Sequence, residues 1–161
     1  MKRFIKVLTF IAALSSSLTA ANSYDILSVE IGVAPNINVP DFDTHAIANT
    51  FALNLRVADP LSVGFETVKY NALGSTLFNF KYDLSVLGGQ TAAIISLGNG
   101  NGFGNGLLTT ENVGLGFEYT PFSKKREAIV TTFKIAPRYI FDTDDVGNGV
   151  LVIGLAVGLG I

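Results

Sequence analysis

The stretch Val150-Leu151-Val152-Ile153-Gly154-Leu155-Ala156-Val157-Gly158-Leu159-Gly160-Ile161 decides the fold. Successive side chains of a strand point to opposite faces. Leu151, Ile153, Leu155, Val157, Leu159 and Ile161 therefore share one face, and Val152, Gly154, Ala156, Gly158 and Gly160 share the other. The first face is branched and apolar, and the second is nearly bare backbone. A strand this greasy, left as a free edge in water, templates aggregation. Its reading is therefore the closing strand of a barrel.

Composition agrees. Charged residues make up 15% of the 161, against roughly 25% in ordinary soluble proteins. Hydrophobic residues make up 48%, yet past the N-terminus no run approaches the ~20 apolar residues of a membrane helix. Cysteine is absent, which excludes disulfides, thiolate metal sites and a lipoprotein anchor. Lys2, Arg3 and Lys6, the apolar run Val7 to Leu14, and the small residues Thr19-Ala20-Ala21 have the layout of a secretory signal. Residues 1–21 are expected to be a cleavable signal peptide, and residues 22–161 one barrel domain. Without that segment eight basic and thirteen acidic residues remain, a net charge of −5. No basic stripe of the kind that binds nucleic acid is present.

From residue 24 onward the hydrophobic period is two. Leu27 to Val33, Phe51 to Val57, Leu61 to Phe65, Phe78 to Val86, Val113 to Thr120 and Ile129 to Phe141 alternate in the same way as the terminal stretch. Thr91 to Gly98 is apolar on both faces, and Leu61 to Phe65 loses its pattern at Val68 and Tyr70. Pro137 removes a ladder donor, so a bulge or frayed pairing is expected beside it. These eight segments predict an all-β, up-and-down antiparallel barrel with essentially no helix. The expected connections are Ala34–Ala48, Ala58–Pro60, Asn71–Gly74, Gly88–Gly89, Asn99–Thr110, Pro121–Glu127 and Asp142–Gly149, rich in the residues that make turns. The longer ones fall mostly at one end, opposite the termini, as in outer-membrane barrels.

Alternation alone does not say which face is outside. A soluble lipocalin-like barrel would turn its apolar face inward and bind an apolar ligand there. Here the polar face is rich in Gly, Ala, Ser and Thr, which suits a narrow interior. Its charges balance: Glu30, Glu66, Asp83 and Glu118 against Arg56, Lys81, Lys134 and Arg138. Buried charges require such pairing. Glu30 is expected to meet Lys134 and Arg138 across the small residues Gly154, Ala156 and Gly158. Aromatics fall towards strand ends, with Tyr24, Tyr119 and Phe122 at the terminus end and Phe51, Phe78, Tyr139 and Phe141 at the other. This resembles two interfacial girdles, and the apolar face is expected to point outward.

The signal segment, the eight alternating segments and the terminal Gly154–Ile161 strand together resemble the small eight-stranded outer-membrane barrels, the OmpX-like proteins and the OmpA transmembrane domain. The resemblance spans the whole chain after the signal as a pattern, without a motif match. It departs in having no Trp, and in Ile161 where that group usually carries an aromatic. It implies a transmembrane barrel in the outer membrane of a Gram-negative bacterium. The implied partners are outer-membrane lipid, lipopolysaccharide and the barrel-insertion machinery, which reads the C-terminal strand.

Motifs for chemistry are sparse. The Gly-rich run Gly98–Gly106 lacks the Gly-Lys-Ser/Thr ending of a phosphate loop and no helix follows it, so it reads as an exposed loop. His45, the single histidine, has no serine placed beside it as a nucleophile, and no catalytic role or cofactor is expected. Asp41 and Asp43 in the first connection, with Asp142, Asp144 and Asp145 in the last, form the one weak candidate for a hard cation such as Ca²⁺. Lys124-Lys125-Arg126 reads as an exposed basic turn. The expected role is structural or surface interaction, with the lumen plugged by side chains. A narrow porin-like channel is the main alternative.

Overall fold

A computed structural model describes residues 26–39, 44–84, 90–100 and 111–161, with backbone alone at 44–46 and 145–148. The expected signal peptide, Tyr24, Asp41 and Asp43 lie outside the described residues. Eight strands follow one another: β1 (Leu27–Asn38), β2 (Thr44–Ala58), β3 (Leu61–Tyr70), β4 (Leu73–Asp83), β5 (Gln90–Gly100), β6 (Glu111–Arg126), β7 (Ile129–Asp142) and β8 (Asp145–Gly160). Each pairs antiparallel with its sequence neighbour, and β8 closes onto β1. Ser28↔Gly160 and Asn38↔Val150 bound that closing seam. Ile26 N donates to Ile161 O at 2.6 Å and Ile161 N to Leu27 O at 2.9 Å, so the first and last described residues are tied together at the seam.

The strands run longer than their hydrophobic pattern suggests, and the turns are correspondingly tighter. β4 starts at Leu73, because the small polar residues Gly74-Ser75-Thr76 pair with Lys69, Val68 and Thr67 instead of turning. The β3–β4 turn is Asn71-Ala72, with Asn71 at φ 52°, a left-handed conformation that Asn tolerates. Lys124-Lys125-Arg126 are the last residues of β6 and not a turn; the turn is Glu127-Ala128. The β7–β8 connection is Thr143-Asp144, not Asp142–Gly149, since Gly149 pairs with Phe141. Gly-rich and Asx-rich residues that read as loops are thus strand residues here. The end opposite the termini consequently has two tight turns, and only the connection over residues 101–110 is long.

Prolines stand at three of the interruptions in the ladder. Pro35 pairs with Ile47 on β2, but its β8 side runs from Val33↔Leu155 to Asn36↔Val152 without partners between. Pro137 pairs with Ile153 on β8, while on the β6 side pairing passes directly from Gly116↔Arg138 to Tyr119↔Ile135. A proline supplies no N–H, so one of its two ladders lapses. Pro121 sits in a bulge between Tyr119 and Phe122.

The exterior is apolar and the interior polar. Ile31, Ile47, Val57, Phe65, Phe80, Ile95, Phe117, Val157 and Leu159 are exposed, whereas Ser28, Glu30, Asn54, Glu66, Asn79, Lys81, Ser96, Glu118, Thr132 and Arg138 are buried. Phe78 is mid-strand beside Phe65 and stacks edge-on with Phe80 at 4.9 Å. It therefore belongs to a band around the waist and not to the outer rim where the sequence placed it, because β4 begins five residues earlier. Tyr139 and Phe141 do lie at the end opposite the termini, ring centroids 5.6 Å apart. The Tyr139 ring lies where a side chain at Gly149 would otherwise stand.

Gly32 lies where β1 passes close to the β8 backbone. A Cβ there would collide with the Leu155 carbonyl oxygen and lie 2.9 Å from Cα and Cβ of Ala156. A Cβ at Gly74 would meet nothing closer than 3.7 Å. Gly32→Ala is expected to destabilise the barrel by roughly 1–3 kcal/mol, read as a lowered urea midpoint. Gly74→Ala is expected to shift it by less than about 0.5 kcal/mol.

Candidate functional site

The lumen gathers all eight charged residues of the polar face. At its centre two carboxylates and two ammonium groups form a ring. Lys134 Nζ lies 2.5 Å from Glu30 Oε1 and 3.0 Å from Glu118 Oε1. Lys81 Nζ lies 2.6 Å from Glu118 Oε2 and 3.9 Å from Glu30 Oε1. Asn54 Nδ2 donates to Glu30 Oε1 at 2.7 Å. Four strands, β1, β4, β6 and β7, supply the ring, so it spans the barrel interior.

The bare face of β8 makes the Glu30–Lys134 contact possible. Glu30 is level with Gly158, and Lys134 with Ala156. A Cβ at Gly158 would lie 2.5 Å from Thr132 Oγ1 and 3.2 Å from Glu30 Cγ. The two long side chains thus cross β8 over residues with almost no bulk.

Arg138 does not join Glu30, contrary to the sequence expectation. It is level with Val152, six residues of β8 away from Gly158, or about 20 Å of strand. It reaches across to β3 instead. Its two terminal nitrogens donate to Glu66 Oε2 at 2.6 Å and Oε1 at 2.7 Å, a bidentate pair. Asn79 Nδ2 donates to the same Glu66 Oε2 at 2.8 Å, and Ser96 Oγ donates to Asn79 Oδ1 at 2.6 Å. Towards the terminus end Arg56 pairs with Asp83 and with Asp59, the latter a partner the alternation did not reveal because it lies in a turn.

Above these charged layers lies a seal that the sequence signalled only as a blurred pattern. Ala34, Ala48, Val68, Leu77, Ile140, Val150 and Val152 form one buried cluster, with Tyr70 packed against it. On β3, β4 and β7 alike the order along the strand is the same. Charged or hydrogen-bonded residues face the terminus half of the lumen, and Val68, Leu77 and Ile140 follow towards the other end. The seeming misplacement of Val68 and Tyr70 therefore places Val68 in this buried apolar cluster and Tyr70 against it.

Two small cavities lie among the described residues of the lumen. One of about 50 Å³ lies at the terminus half, lined by residues including Arg56, Asp83, Thr120 and Thr132. The other, about 30 Å³, lies between the ring and the Arg138–Glu66 pair. A single water needs roughly 10–15 Å³, so each space has room for a few waters.

Of the candidate cation ligands, Asp142 is buried and accepts a hydrogen bond from Asn112 Nδ2 at 2.8 Å. Asp144 is exposed, and Asp145 pairs with Asp142 along the backbone. Among the described residues no three acidic or histidine side chains converge on one point. The backbone of His45 lies in β2. No family model, curated protein or solved structure matches this chain.

Removing one member of a buried pair strands the other. Glu66→Ala is expected to cost about 3–5 kcal/mol, whereas Glu111→Ala, at an exposed position, is expected to stay within about 0.5 kcal/mol. In a double-mutant cycle, Glu30→Ala with Lys134→Ala is expected to show coupling of at least about 0.5 kcal/mol, while Glu30→Ala with Arg138→Ala shows less. Urea titration of each variant measures both.

Proposed function

We propose that this chain is an outer-membrane β-barrel whose lumen is plugged by its own side chains and whose role is structural or surface-interacting. One observation carries the membrane reading: the barrel's polarity is inverted relative to a water-soluble one. Large apolar side chains ring the outside along every strand, and the paired charges lie within. Exposed apolar patches on soluble monomers rarely exceed a few hundred Å², while a hydrocarbon bilayer needs such a band around the whole barrel. In a bilayer a closed barrel also leaves no backbone group unsatisfied at an edge. A lumen filled with ion pairs offers an apolar ligand nothing to bury against, which weighs against a lipocalin-like carrier.

The plug supports a non-conducting role. An ion crossing the lumen would have to pass the Glu30–Lys81–Glu118–Lys134 ring, the Arg138–Glu66 pair and then the seven-residue apolar seal. Apolar constrictions stop conduction by excluding water. Outer-membrane lipid and lipopolysaccharide are the partners this reading assigns to the exterior. Insertion machinery is the partner it assigns to β8, through which the barrel closes.

Membrane fractionation of cells producing the chain tests the placement. The expected result is recovery in the outer membrane, in a form whose gel mobility changes on boiling. Recovery in the soluble periplasmic fraction overturns it. In planar bilayers the purified barrel is expected to give no stable unit currents, and their appearance would favour the narrow channel.

A further inference from the structure

The β6–β7 hairpin at the terminus end carries a distinctive face among the described residues. Up to Tyr119 the odd-numbered residues of β6 point outward, as exposed Phe117 shows. The bulge between Tyr119 and Phe122 changes that parity. Beyond it Phe122 is opposite Phe133, Lys124 opposite Thr131, and Arg126 opposite Ile129. Paired residues share a face, and β7 turns Phe133 and Ile129 outward while Val130 and Thr132 are buried. So Phe122, Lys124 and Arg126 lie on the outer face, and Ser123 and Lys125 on the inner one. Without the bulge this assignment would be reversed. A one-residue irregularity at Pro121 therefore aims two cations outward, a known use of bulges.

The order along that face is specific. Phe122 and Phe133 continue the apolar band. Lys124 follows Phe122 by about 6–7 Å and Arg126 by about 13 Å, at 3.3 Å per residue. From Thr120 to Phe133 the single carboxylate is Glu127, in the turn. Beyond Thr120, among the described residues, β6 pairs with β7 alone. An aromatic ring at the edge of an apolar band, with Lys and Arg one step further out, matches the depth profile of a bilayer surface, where rings sit at headgroup level and cations reach the phosphates.

We infer that this hairpin face is an anchor for anionic phospholipid headgroups, with Lys124 and Arg126 as the phosphate-facing cations. The inference rests on the membrane reading above. It supplies a local attraction that the net charge of −5 after the expected signal does not predict, because the cations are concentrated on one hairpin face.

The test compares folding stability, by urea titration of the gel-shifted form, in phosphatidylcholine vesicles and in vesicles of equal parts phosphatidylcholine and phosphatidylglycerol. Each cation near an anionic surface is expected to raise the folded-to-unfolded ratio by roughly fivefold at low salt, and the preference is expected to shrink in high salt. Lys124→Gln with Arg126→Gln is expected to abolish the preference while still folding in phosphatidylcholine. Lys124→Arg with Arg126→Lys is expected to retain it. Lys125→Gln, on the inner face, is expected to leave most of it intact. A double Gln variant that keeps the full preference overturns the anchor but leaves the membrane barrel standing. Failure of the unaltered chain to insert into either vesicle overturns both.

Discussion

Two ammonium groups and two carboxylates share the middle of this barrel, and the rest of the interior is arranged around that fact. An eight-stranded barrel has room for side chains and little else. A charge placed there loses its water, so it persists only with a partner at hydrogen-bond distance. Lys134 and Lys81 each face Glu30 and Glu118, and Arg138 takes Glu66 in a bidentate grip. The small residues of β8 follow from this constraint. Gly158 and Ala156 leave the space through which Glu30 and Lys134 meet.

The same narrowness divides the lumen along its length. Arg56, Asp83 and Asp59 sit at the terminus end, the ring and the Arg138 network follow, and the buried apolar cluster lies towards the far side. Each layer excludes the chemistry of the next. The exterior presents the apolar band, the turns, and the re-aimed face of the β6–β7 hairpin.

Much of this was legible in the sequence, and what was not has physical causes. Period-two alternation is a direct image of the pleat, so the eight strands, their order and the charged lumen residues could be named from it. Of the pairing partners only Glu30 with Lys134 was legible, because partners depend on register: Arg138 and Glu30 share a face but are separated by six residues of β8. Strand ends were hidden where Gly, Ser, Thr and Asn occupy paired positions, as in Gly74–Thr76 and in Gly149. Val68 and Tyr70 looked like errors of pattern, although they mark a change of interior chemistry along the barrel axis. The bulge at Pro121 was invisible for the opposite reason. One extra residue reverses every later side chain, and no local propensity announces it beyond the proline itself.

The central claim is that the apolar outer face meets lipid. The chain contains no Trp, so a single introduced Trp reports without background. Phe65→Trp, at an outward position near mid-strand, placed in vesicles whose acyl chains carry bromine, measures contact directly. Strong quenching of its emission relative to unbrominated vesicles is the predicted result. Equal emission in both, from protein that remains unbound in solution, would contradict the account.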